Sequence, residues 1–130
     1  MNRANTLLAI ALLTAGYPAL AAPLASCPQQ HREGKRSALL DSASVFDGAP
    51  DNKADLMPDL AKLEWDLATS QDKARERGDS IYLVCKYKGI GSTVAIKLPP
   101  AAALCKMEGI NGRTRMWCGE RPDDTATPPR

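Results

Sequence analysis

Four cysteines, at positions 27, 85, 105 and 118 of a 130-residue chain, constrain this sequence more than any other feature. The stretch from Cys27 to Gly119 holds only about 90 residues, and a domain of that size buries little more than 60% of its unfolded surface, so covalent staples matter. No two cysteines share the close spacing of a zinc site, and His31 is the single histidine. A C-x-x-C pair for redox work is also missing. Structural disulfides are the reading that fits, and they require an oxidising compartment. No cofactor or metal is expected.

The N-terminus supplies a route to such a compartment. Arg3 precedes an uncharged apolar run, Leu7–Ala15, and Gly16, Tyr17 and Pro18 break it before the small-x-small sequence Ala19-Leu20-Ala21. That pattern predicts a signal peptide over residues 1–21 and a periplasmic or secreted product. The run is too short to span a bilayer, which takes about 20 apolar residues. Leu24-Ala25-Ser26-Cys27 also resembles a lipobox, which would place a lipid anchor on Cys27. This second reading is disfavoured, because it leaves an odd number of cysteines and follows two prolines, Pro18 and Pro23.

Residues 22–119 are expected to form a single disulfide-stabilised β domain, and residues 120–130, with three prolines, a disordered tail. The fold class predicted is mainly β: a small antiparallel sheet of five to six strands stapled by two disulfides. A first strand is expected over Asp41–Phe46. Leu63, Trp65 and Leu67 alternate with Lys62, Glu64 and Asp66, as in a half-buried strand. Ile81–Tyr87 and Thr93–Leu98 read as a hairpin, and Leu104–Glu108 with Arg113–Cys118 as another around Asn111-Gly112. Thr69–Ser80 is highly charged without an apolar stripe and reads as a loop or a frayed helical turn. A thin sheet has two free edges, and no residue pattern singles out one of them.

Four cysteines allow three pairings, and turn geometry favours one. A type I′ turn at Asn111-Gly112 sets Ile110 opposite Arg113, and counting outward sets Cys105 opposite Cys118 at a non-hydrogen-bonded site. Cα atoms approach there to about 4.5 Å, within disulfide range. Cys27–Cys85 is then the other bond.

The composition argues against several functions. Losing residues 1–21 removes one arginine and no acid, so 16 basic residues face 15 acidic ones, a net charge of +1. Such a chain has no field with which to gather nucleic acid. The basic cluster His31-Arg32 and Lys35-Arg36 reads as a solvated stretch. His31 sits in a polar segment, not beside a nucleophile. Glu64 and Asp66 share a polar strand face rather than a cleft. Gly89-x-Gly91 joins two strands and lacks the helix of a phosphate loop. Trp65 reads as core. Trp117 points away from the Cys118 face of its strand and is a candidate contact residue.

Taken together, Cys27-Pro28, Val45–Pro50, Leu56-Met57-Pro58-Asp59, Trp65, the segment Tyr82–Gly89, Leu98-Pro99, Cys105 and Cys118 resemble a family of small exported proteins of Gram-negative bacteria. That family is known mainly from a Salmonella open reading frame. The resemblance implies a periplasmic or secreted setting and structural roles for all four cysteines, and it carries over no catalytic residues. Some small exported proteins of this general kind neutralise a rival's toxin, which is an analogy only. The expectation is a non-enzymatic binding or inhibitor-like protein whose partner is another protein in the periplasm, such as an immunity protein against a secreted toxin. Candidate contacts are Trp117, Asn111 and Arg113, the hairpin tip Ile110–Arg113, and the loops Asp51–Asp59 and Thr69–Ser80. The alternative is a structural or housekeeping envelope protein, in one version anchored through Cys27.

Overall fold

A computed structural model describes residues 22–122. The predicted signal peptide, and the tail from residue 123 onward, lie outside the described residues. Among the described residues, nine strands and one α-helix follow in order, with a 3-10 turn at Pro50–Asn52 between the third and fourth strands: β1 (Ala25–Ser26), β2 (Gln30–Glu33), β3 (Arg36–Asp47), β4 (Asp55–Leu56), β5 (Glu64–Asp66), α1 (Ala68–Glu76), β6 (Ile81–Tyr87), β7 (Thr93–Lys97), β8 (Leu104–Ile110) and β9 (Arg113–Gly119). The mainly β, antiparallel, doubly cross-linked architecture matches expectation, with the strands distributed over two sheets. One has the order β1-β9-β8-β5, the other β2-β3-β6-β7, with β4 added alongside β3.

The second sheet forms where period-two burial is strongest. Along β6, Ile81, Leu83, Cys85 and Tyr87 are buried on one face, meeting Leu40, Ala43 and Val45 of β3. The first sheet contributes Trp65, Cys105, Met116 and Cys118 to the same core. Both predicted hairpins are present. Asn111 and Gly112 have φ of 53° and 74°, the pair of positive values that a type I′ turn demands. The register runs from Ile110↔Arg113 to Cys105↔Cys118, and those cysteines are bonded with Cα atoms 4.0 Å apart. Cys27–Cys85 is the second bond and ties the segment after β1 to the centre of the other sheet. A sulfur held in that buried bond cannot also carry a thioether-linked lipid, so this structure is incompatible with anchoring through Cys27.

Three local expectations are corrected. Strand structure begins well before Asp41: β2 and β3 form a hairpin closed by Gly34, whose φ is 60°, and the basic residues Arg32, Lys35 and Arg36 on it are exposed. Gln30, Arg32 and Glu33 are exposed and only His31 is half-buried, so β2 lacks the apolar alternation of a strand packed on a single face. His31 packs its ring 5.0 Å from that of Tyr87 and lies 3.3 Å from the Ser92 hydroxyl.

Within Thr69–Ser80, α1 is a true helix. It buries only Gln71 and Ala74, a strip too narrow to register as a hydrophobic stripe. The Gln71 amide donates to the carbonyls of Pro99 and Ala102 at 3.1 and 2.9 Å, so the helix is docked by hydrogen bonds.

Finally, the Leu63–Leu67 alternation overstates its strand. β5 covers three residues only, with Trp65 and Leu67 buried and Leu63 outside the core.

Candidate protein-binding site

After β4 the chain makes a short excursion, Met57–Leu63, along the outer edge of β5. Its backbone is tied down closely. The Trp65 indole N–H donates to the Leu56 carbonyl at 2.9 Å. Asp59 N–H donates to the Glu64 carbonyl at 2.8 Å, and Leu63 N–H to the Asp59 carbonyl at 2.7 Å. The Asp59 carboxylate accepts from Ala61 N–H at 2.9 Å, and Met107 N–H of β8 donates to the Leu63 carbonyl at 3.0 Å.

This well-held segment displays apolar side chains outward. Met57 and Leu60 are 75% and 72% exposed, and Leu63 is 36% exposed. Leu63 also has a φ of 52°, a left-handed backbone that is uncommon for a bulky residue and costs about 1–2 kcal/mol. Three exposed apolar groups on one seven-residue segment pinned by its backbone, one of them in a strained conformation, make this a candidate contact surface. They form a ridge.

Behind the ridge lies a groove of about 570 Å³ between Met57, Pro58 and Lys62 on one side and Glu64, Asp66, Leu104 and Arg121 on the other. Two of its carboxylates are paired. Lys106 Nζ is 3.9 Å from Glu64, and Arg121 bonds Asp66. The Arg121 hydrogen bond, with a second from Ala68 N–H, holds the Asp66 carboxyl below its ordinary range. Among the described residues, no three His, Cys, Asp or Glu side chains gather as a metal site would need.

Strand pairing places the sequence-predicted contacts on the face beside this groove. Glu64 is opposite Lys106, Lys106 opposite Trp117, and Trp117 opposite Ser26, so these four share one outer face. Trp117 is half-buried and lies over Gly119. Arg113, at the same parity, and Asn111 at the turn are exposed at the end of the ribbon. Of the predicted loops, Asp51–Asp59 leads into the ridge, whereas the Thr69–Ser80 segment is the docked helix α1. Sequence reasoning missed Leu60, and Leu63 was expected in the core. The signal available was the apolar, turn-rich run Leu56-Met57-Pro58-Asp59-Leu60-Ala61-Lys62-Leu63, too irregular for a strand.

The family model for type VI secretion system Tli immunity proteins matches residues 33–119. This chain belongs to that family. It is an immunity protein against a secreted toxin, and its partner is therefore a protein. The match begins at the last residue of β2 and ends with β9, so β3 to β9, the ridge and three of the four cysteines fall within it. No curated protein and no solved structure shows significant similarity to the chain.

Proposed function

We propose that this immunity protein acts in the periplasm, without chemistry of its own, by seating the Met57–Leu63 ridge on its toxin. Trp117, Asn111 and Arg113 on the adjoining face supply the surrounding contacts. The observation that carries the reading is the exposure of Met57 and Leu60 on a loop whose backbone is pinned. Such side chains lose their water on binding with little ordering cost, which is what concentrates affinity in a few residues. A periplasmic setting agrees with two bonded cysteine pairs and with the predicted signal peptide.

The test uses the cognate toxin. Leu60→Asp and Met57→Asp, at surface positions, should leave the melting temperature nearly unchanged and weaken toxin binding by at least about 30-fold, the effect of losing a hot spot. Cells carrying these variants should lose protection when the toxin is delivered to the periplasm. Full affinity in both variants would move the contact surface elsewhere.

A further inference from the structure

We propose that β7 is a homodimerisation edge, through which two copies of the protein join their larger sheets into one. β7 ends the strand order β2-β3-β6-β7, and among the described residues it pairs only with β6. Leu98 N–H donates to the Ile81 carbonyl at 2.8 Å. By the alternation of an antiparallel ladder, Val94 and Ile96 then point their N–H and C=O groups at β6. Thr93, Ala95 and Lys97 point theirs off the open edge.

The other edges carry the devices that discourage pairing. β1 and β4 have two residues each, β5 has three and is bridged by Asp59, and β2 reads Gln-His-Arg-Glu. β7 has one of them, the charge of Lys97. Its five residues, Thr-Val-Ala-Ile-Lys, contain no proline and no bulge, and only one charge.

The occupant is argued from the symmetry of this segment. A two-fold axis through Ala95 makes the outward-facing groups of Thr93, Ala95 and Lys97 meet those of Lys97, Ala95 and Thr93 in the second copy. The bonding parity is therefore satisfied along the whole strand. The smallest side chain sits on the axis, and each Lys97 faces a threonine hydroxyl rather than another charge. On the other face, half-buried Val94 and Ile96, already packed against the core edge, come opposite Ile96 and Val94 of the second copy. Pairing thus shields apolar surface.

Topology separates this edge from the toxin-binding ridge. β4, which leads into the ridge, lies on the far side of β3 from β6 and β7, about three strand spacings or 14 Å across the sheet. The dimer would leave both ridges open. It would also be closed, because the short strands at the opposite edge cannot propagate the pairing. The contact is smaller than a standard interface, so dissociation constants from micromolar to about 1 mM are expected.

Sedimentation velocity without toxin, from about 10 μM to about 1 mM, tests the proposal. The wild-type protein should show a reversible monomer–dimer equilibrium. Thr93→Glu sets a carboxylate opposite Lys97 twice per dimer and should tighten association by about 2- to 30-fold; Thr93→Lys should weaken it by a similar factor. Ala95→Pro removes an N–H that β6 does not use and should abolish the dimer with an unchanged circular dichroism spectrum. Should that variant misfold, the opposite response of the two surface Thr93 variants decides. A wild-type protein that stays monomeric throughout, or a dimer that responds to both charges in the same sense, overturns the proposal. Either result leaves toxin binding by the ridge untouched.

Discussion

Replacing each disulfide in turn by a pair of alanines should destabilise the protein unequally, with Cys27–Cys85 the costlier to lose. The two bonds span sequence separations of 58 and 13 residues. In the chain-entropy treatment these loops restrict the unfolded chain by about 4 and about 3 kcal/mol at 25 °C. All four cysteines are buried, so the loss of sulfur packing adds to both variants alike. A domain of this size shifts its melting temperature by about 4–8 °C per kcal/mol, which gives falls of about 16–32 °C and about 12–24 °C. Scanning calorimetry of Cys27→Ala/Cys85→Ala and Cys105→Ala/Cys118→Ala measures both. Native stability is about 5–15 kcal/mol, so either variant can retain a fold, whereas losing both bonds removes about 7 kcal/mol and should leave little folded protein. The reasoning is refuted if the short-loop variant melts below the long-loop variant. A non-reducing peptide map joining Cys85 to Cys105 would refute it more directly.

Three further outcomes are expected. Leu63→Asn should raise or preserve thermal stability, by up to about 1 kcal/mol, because asparagine tolerates the left-handed backbone, while titration calorimetry shows weaker toxin binding. Gln71→Ala removes the donor to two carbonyls and should cost about 2–3 kcal/mol in chemical denaturation. Asp66 has a folded pKa below its unfolded value, chiefly through Arg121, so it favours the fold above the unfolded value near 4. That contribution is lost as pH falls through the lower folded value. Asp66→Asn should therefore flatten the acid limb of a melting-temperature profile below about pH 4; an unchanged profile would show that the pair does not couple to folding.

How much of this could be read from the residues depended on whether a local rule decided the structure. The Cys105–Cys118 bond was legible because Asn111-Gly112 forces one register, and everything down the ribbon follows from it. β6 and β7 were legible because both are rich in β-branched or aromatic residues and the connector Lys88–Ser92 suits a hairpin loop. The helix was not, since Gln71 docks it through partners 28 and 31 residues away, and no local pattern contains those carbonyls. The β2–β3 hairpin was hidden by its charged residues, which an edge ribbon tolerates. At the candidate site, Met57 fell in a loop already marked for contact, and Trp117 was placed on the correct side of its strand. Leu63 misled. Its spacing from Trp65 and Leu67 is that of a strand, but the turn at Asp59 takes the backbone through a left-handed residue and carries the side chain out of the core.

The left-handed turn at Leu63 is what leaves the proposed contact surface in water. Two of the largest apolar side chains in the ridge remain in water, although burying either would favour the fold by about 1.5–3 kcal/mol. A small domain with a modest interior has few such groups to leave outside. The Trp65–Leu56 hydrogen bond and the Asp59 turn prevent the loop from folding inward to cover them. The disulfides supply stability that does not depend on core volume, so the chain can remain folded while Met57 and Leu60 stay available to a partner. An immunity protein needs that combination, because its contact surface must be complete before the toxin arrives.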